Sequence, residues 1–417
     1  MNQLTTSDEP AEVAEFVDVM IDELHLVDAI RSPEVEAALR RVPRWRFAPG
    51  IPLAQVYDPE VAVITKRDAH GVAISSISAP RIQAFMLEQA SIAPGMRVLE
   101  IGSGGFNAAL IAELVGADGH VTTMDVDAEV TAKASEFLRA AGYDRVEVVC
   151  GDAYVDLPGD GIWDRIIVTV GAWDIPPVWT DRLAEDGRII VPLRMRGITR
   201  SLALEPLGDS GLTTMSAEVC GFVQMQGDGC HEEDLWMLRG PEIGLRFDDL
   251  NAPDMTGLDG VLSTQRRVLW TGVLIKAQVP FDSLELLAAA RLPHSCLLAV
   301  AGTAGQGLLT HNDERRFRVA HVHDKAFAYL VTRPLSDGQF EFGAAAFGAA
   351  DAADQAAALL AYQIRDWDAR RSASADDPDI TIWPASTPVD NMPAGVVLDK
   401  QHRRIVLSWP SSTKPSA

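Results

Sequence analysis

Between Val98 and Asn107 the chain reads Val98-Leu99-Glu100-Ile101-Gly102-Ser103-Gly104-Gly105-Phe106-Asn107, an apolar run entering a glycine cluster. The residues that follow, Ala108 to Val115, have helical character. This order predicts a buried parallel strand, a turn whose glycines let backbone approach a ligand, and a helix opening over it. A strand–turn–helix unit of this kind places its ligand at the carboxyl edge of a sheet, so it restricts the fold to the α/β class.

The flanking pattern agrees. Strands are expected at 98–101, 120–125, 146–150, 165–170 and 188–191, the last closing at Pro192, with helices at 106–115, 128–141 and 178–184. That alternation implies a Rossmann-like, doubly wound parallel sheet. Upstream, 10–39 has helical periodicity, with a restart at Ser32-Pro33-Glu34 where serine caps and proline opens the helix. Val42–Pro49 reads as an ordered loop, 61–64 and 71–77 as extended segments, and 80–90 as a helix that Ser78 could cap. Residues 1–9 are polar and read as frayed. Ser201–Glu205 and Ser216–Phe222 look like antiparallel strands. Beyond 230, strands at 268–275, 296–300, 326–332, 380–383 and 404–409, an alanine-rich helix near 350–367 and a polar break at 370–379 suggest an α+β accessory domain.

Charge narrows the partners. Among 417 residues the formal net charge is −23, which argues against nucleic-acid binding, because phosphate recognition needs a basic surface. Four scattered cysteines (Cys150, Cys220, Cys230, Cys296) form no CxxC pair and indicate neither a zinc site nor a disulfide scaffold. The first residues lack an apolar signal core and no long apolar run follows, so a soluble cytoplasmic protein with no membrane partner is expected.

A glycine turn after the first strand can serve NAD, FAD or S-adenosylmethionine. The dinucleotide pattern GxGxxG needs glycines at 102, 104 and 107, and position 107 is Asn107. Asp125, ending the second strand about 20 residues on, can accept both ribose hydroxyls of any of the three. Gly151-Asp152-Ala153, after the third strand, is the turn at which methyltransferases hold an acid near the adenine amino group. No Walker lysine follows the glycine turn, which argues against ATP, and S-adenosylmethionine is the cofactor expected.

Six segments together resemble the protein L-isoaspartyl O-methyltransferase family. They are Val42-Pro43-Arg44 with Phe47 and Pro49, Ile77-Ser78-Ala79-Pro80, Val98–Gly102, Val149–Ala153, Asp164–Thr169, and Leu183 with Gly187–Pro192. The match spans roughly 30–225, and Ile-Ser-Ala-Pro is its most specific part. It implies a methyltransferase domain over 1–230 and leaves 231–417 as the accessory domain, assigned to peptide recognition. It implies Ser78 as the residue orienting the acceptor carboxylate, and Ile77, Glu100, Gly102, Ser103, Gly104, Asn107, Asp125, Val126, Asp152 and Ala153 as cofactor-binding residues. The family's turn is usually EIGxGxGY, whereas Glu100 to Phe106 reads EIGSGGF, one residue shorter. That turn, the Gly171–Pro177 loop and the long C-terminal extension look like the sub-branch that tailors ribosomally made peptides such as lanthipeptides and graspetides. Those enzymes esterify an ordinary aspartate of a precursor peptide, and the ester collapses to an aspartimide that persists or hydrolyses to isoaspartate. The alternatives are an isoaspartate repair enzyme and a non-catalytic protein that keeps the fold as a scaffold.

A carboxylate with a pKa near roughly 4 is already ionised at neutral pH and is itself the nucleophile, so such an enzyme needs positioning rather than a general base. His321 and His323 share a strand face, but no third ligand can be placed beside them, so no metal is expected. Trp173 and Trp179 fit a peptide groove or plain packing equally, Arg44 and Arg46 read as a solvated or salt-bridged loop, and Asp376 and Asp377 as a solvated break.

Overall fold

The computed structural model describes residues 12–208, 210–249, 253–309 and 317–410; the amino-terminal segment 1–9 and Pro10 lie outside them. The chain divides into two compact units, 1–193 with 200–230, and 194–199 with 231–417.

The first unit opens with α1 (Val13–Leu26) and α2 (Pro33–Arg41), the second starting at the restart expected from Ser32-Pro33-Glu34. Asp28, at φ +54°, stands between them, and Ser32 caps the second by accepting from the Val35 N–H. After a short 3-10 turn over Arg44–Phe47 come α3 (Leu53–Val56), the antiparallel hairpin of β1 (Val63–Arg67) and β2 (Ala73–Ile77), and α4 (Pro80–Ala90). Strand and helix then alternate through β3 (Arg97–Ile101), α5 (Phe106–Val115), β4 (His120–Asp125), α6 (Ala128–Ala141), β5 (Glu147–Cys150), β6 (Trp163–Val168), α7 (Pro177–Asp181) and β7 (Leu183–Met195). β8 (Ile198–Leu207) and β9 (Gly211–Val219) complete the unit as an antiparallel pair.

The strand order is β5-β4-β3-β6-β7-β8-β9, with β3 parallel to β4 and β6, and β4 to β5 and β6 to β7. Val98, Leu99 and Ile101 of β3 are all buried, as a strand covered on both faces requires, and each stabilises the fold by roughly 1.5–3 kcal/mol. Two elements differ from expectation. α7 stops at Asp181 rather than 184, and β7 runs through Pro192 instead of closing there. Pro192 lacks only a donor; its carbonyl still accepts from the Ala172 N–H, at 2.9 Å.

The second unit holds β10 (Asp234–Arg239), β11 (Ile243–Phe247), β12 (Arg267–Lys276), α8 (Asp282–Arg291), β13 (Ser295–Val300), β14 (Phe317–His323), β15 (Ala326–Pro334), β16 (Gln339–Gly348) and α9 (Ala350–Ser372). Its sheet has the order β10-β11-β13-β14-β15-β16-β12, antiparallel throughout. β17 (Asp379–Pro384), β18 (Val396–Asp399) and β19 (Arg403–Ser408) form antiparallel pairs around β19. Arg370 and Arg371, expected in the polar break, instead close α9, and Asp376 accepts from the Ser283 hydroxyl at 2.8 Å rather than facing only solvent. Among the described residues no helix is long and apolar enough to cross a membrane.

Candidate functional site

The sheet changes direction between β3 and β6: β4 lies on one side of β3, and β6, later in the chain, on the other. Ligands of open α/β sheets bind outside the strand carboxyl ends at such a switch point. Here the two ends are tied together. Thr169, just past β6, donates its N–H to the Ile101 carbonyl and its hydroxyl to that of Gly102, both at 2.7 Å. Gly102 has φ +99°, and a Cβ there would lie 2.6 Å from Thr169 Oγ1, so the position admits only glycine. Gly105 (φ +82°) opens α5 against the Phe47 ring.

Glu100 is fully buried at the end of β3. Its carboxylate accepts from Asn107 Nδ2 at 2.8 Å and from Thr123 Oγ1 at 2.6 Å. Burial pushes its pKa up to about 7, against the pull of those two hydrogen bonds, and the nearby Asp125 charge adds to the rise. Asn107, where a dinucleotide fold would carry glycine, thus serves the buried acid. Asp125 accepts from the Ser103 N–H (3.0 Å) and the Asp127 N–H (2.9 Å), and burial raises its pKa as well. Ser103 is itself buried, and its hydroxyl oxygen has no partner among the described residues.

Asp152 follows β5. One oxygen accepts from the Tyr154 N–H at 2.9 Å, and the other from the Asp228 N–H at 2.7 Å, which pins the 225–230 loop. That loop is held a second time at Gly171, which exchanges backbone hydrogen bonds with Val223 and Met225. Ala153 is buried, and its carbonyl accepts from Trp179 Nε1 at 2.8 Å.

Ser78 sits between β2 and α4. It does not cap the helix, because Ala79 occupies the cap position and makes no side-chain cap bond. Its hydroxyl has no hydrogen bond among the described residues, while its carbonyl accepts from Arg44 Nη2 at 2.8 Å. Arg44 is no solvated loop residue: it is 1% exposed, lies 4.9 Å over the Phe106 ring, and burial lowers its pKa to about 9. The apolar cluster around Phe47 leaves it no route to water. Arg46 donates to the Ala140 carbonyl at 3.0 Å and lies over Trp45.

These parts enclose one crevice with two ends. Ile77, Ser78, Glu100, Gly104 and Asn107 line one end, Val126, Asp152 and Ala153 the other, and Gly102 and Asp125 belong to both. Ser103 alone of the expected residues lies inside the turn rather than on the wall. Sequence reasoning missed Ile74, Gln83, Thr169, Val170, Tyr154 and Met225, which also line it. Thr169 and Val170 were readable, since they follow a strand at the switch point; the others arrive from distant segments with no local signature. β2 passes along one wall, and Lys66 of β1 binds Asp127 and Glu129 at the start of α6, at 2.6 and 2.8 Å.

Elsewhere, Trp173 and Trp179 are buried packing residues. His321 is fully buried, its Nε2 faces the Ala356 carbonyl at 2.9 Å, and burial lowers its pKa to about 4, while His323 meets Gln355. Among the described residues no three metal-ligating side chains converge.

A parallel sheet with this switch point, a glycine turn at its first strand and acids at the ends of the next two strands define an S-adenosylmethionine-dependent methyltransferase. The chain belongs to the protein-L-isoaspartate(D-aspartate) O-methyltransferase family, whose model matches residues 15–228. It is 32% identical over 216 residues to the protein-L-isoaspartate O-methyltransferase of Methanopyrus kandleri, covering 51% of this chain and 92% of that one. It is 36% identical over 208 residues to the enzyme of the same name from Hyperthermus butylicus, covering 48% and 83%. A solved protein-L-isoaspartate O-methyltransferase structure superposes with a TM-score of 0.48 and 19% identity, over 88% of this chain and 96% of that one.

Proposed function

We propose that the protein methylates the free carboxylate of isoaspartyl residues in peptides and proteins. The observation that carries this reading is the Ser78 hydroxyl, unbonded in the wall of a crevice whose other end has the acids suited to S-adenosylmethionine. The names of the relatives support the same acceptor.

The residues present fit the cofactor. Asp125 keeps lone pairs free beside its two backbone donors and suits the ribose hydroxyls, Asp152 the adenine amino group, and the open Gly104 backbone the methionine end, while Ser103, inside the turn, serves through the N–H that holds Asp125. Val126 and Ala153 flank the adenine end, and Ile77, Glu100, Gly102 and Asn107 complete the wall. When bound, S-adenosylmethionine supplies an electrophilic sulfonium methyl group. Asp125 places an acid on that side of the crevice, which favours a cationic ligand. The acceptor carboxylate needs no base, since it is ionised at neutral pH; it needs a donor that fixes one oxygen, and the Ser78 hydroxyl provides it.

A second reading, esterification of an ordinary aspartate in a ribosomally made precursor peptide, draws on the shortened EIGSGGF turn and on the unit 231–417, which lies beyond the family match. In it the accessory unit binds the precursor peptide. One experiment separates the two: methyl transfer from labelled S-adenosylmethionine to an isoaspartyl peptide, to its aspartyl twin, and to any small peptide encoded beside the gene. A kcat/KM for the isoaspartyl peptide about a hundredfold above its twin is expected. Transfer to the aspartyl forms alone replaces the first reading with the second.

A further inference from the structure

Gln83 lines the Ser78 end of the crevice and is 4% exposed. Its side-chain oxygen accepts from Arg44 Nη1 at 2.6 Å. Because a guanidinium can only donate, the atom it meets must be the amide oxygen, and the orientation of the amide is therefore fixed. The NH2 end is left with no partner among the described residues. A buried amide with one end clamped and the other bare in a binding wall presents two N–H donors to whatever enters.

Arg44 does more than hold Gln83. Its Nη2 donates to the Ser78 carbonyl at 2.8 Å, and its Nε to the Val56 carbonyl at 2.7 Å. One buried cation therefore sets the positions of both the Ser78 backbone and the Gln83 amide. None of the described residues lining this end is a lysine or an arginine, and two, Glu100 and Asp125, are acids. An anionic acceptor entering there meets only neutral donors, so the favourable charge must reach it from behind, through a polarised amide.

We infer that Gln83 is a ligand of the acceptor carboxylate, paired with Ser78, and that Arg44 is the residue that positions both. This inference deepens the proposed function, since the carboxylate is the one methylated there. It assigns the pocket a specificity rule: the two oxygens of a free carboxylate take one O–H and one N–H donor, whereas a primary amide in the same place turns its own N–H groups against them.

The test is equilibrium binding, by calorimetry, of an isoaspartyl peptide and of its isoasparaginyl counterpart, whose carboxylate is replaced by a primary amide, to enzyme loaded with S-adenosylhomocysteine. Wild-type enzyme should bind the carboxylate about tenfold or more tighter than the amide, the discrimination expected of hydrogen bonds to a charged group. Gln83→Glu keeps the Arg44 contact but turns a donor into a like charge; it should weaken the carboxylate peptide at least about tenfold and leave S-adenosylhomocysteine affinity within about twofold. Gln83→Leu should remove the carboxylate preference. Arg44→Lys, which retains charge but cannot span three acceptors, should raise KM for the peptide more than it lowers kcat. Wild-type binding that does not discriminate carboxylate from amide, or a Gln83→Glu enzyme with unchanged peptide affinity, overturns the inference. Peptide that binds with the expected preference yet is never methylated breaks the functional reading alone.

Discussion

Toward the Asp152 end of the crevice, Asp125 and Asp152 each have both oxygens held by backbone N–H groups, from Ser103, Asp127, Tyr154 and Asp228. At the other end no described residue holds the Ser78 hydroxyl or the Gln83 amide nitrogen, although the Ser78 carbonyl and the Gln83 oxygen are both fixed by Arg44. In the function proposed above the contrast suits what each end would receive: a cofactor of constant shape, met by acids locked in advance with lone pairs to spare, and a peptide of variable sequence, met by donors whose scaffolding is rigid and whose far ends are bare.

Three substitutions probe that contrast, in order of expected size. Gly102→Ala puts a Cβ against Thr169 Oγ1 at a left-handed φ and should break the locked end, weakening S-adenosylhomocysteine by about a hundredfold or more and lowering stability by about 3 kcal/mol. Calorimetry and a urea melt read the two effects; normal cofactor affinity would mean that the turn is not the binding edge. Glu100→Gln is read through stability. In the folded chain Glu100 holds its proton up to about pH 7, whereas unfolded it loses it near 4.5. Wild-type stability from this group therefore falls as pH rises between those values, and the glutamine variant escapes the loss. Its advantage should grow from nothing near pH 4.5 to about 3 kcal/mol above pH 7, measured as the difference between paired denaturation curves; a difference that is flat with pH contradicts the buried, protonated acid. Ser78→Ala is the smallest and the most specific. With no cap to lose, it should change stability by less than about 0.5 kcal/mol while kcat/KM falls about tenfold. A matching fall in melting temperature would return Ser78 to a structural role.

What was legible in the sequence was local. The strand, glycine turn and helix over 98–115 read directly, as did Asp125 and Asp152 at the ends of later strands, because each is defined by a few neighbouring residues. What stayed hidden depends on contacts between distant segments. Arg44 looked like a surface loop residue until Val56, Ser78 and Gln83 closed around it, 12 to 39 positions away. Asp152 looked like a cofactor contact only, yet it also anchors Asp228, 76 residues later. Pro192 was read as the end of a strand because proline lacks a donor, and nothing nearby announced that Ala172 would use its carbonyl. The segments over 231–417 showed their strand character, but their order in the sheet, with β12 at the edge beyond β16, has no trace in the pattern.

The wall formed by Ala73–Ile77 belongs to a sheet of only two strands, apart from the parallel core, and its residues are only partly covered until Ile77. A lone two-stranded ribbon is marginal by itself and gives way at a lower free energy than a central sheet. Its attachment to the start of α6 runs through the single ammonium of Lys66. Of the crevice walls this hairpin is therefore the one expected to loosen first, without disturbing β3 or β6, and added salt, by screening the Lys66 pairs, should lower its protection from amide hydrogen exchange more than that of β3.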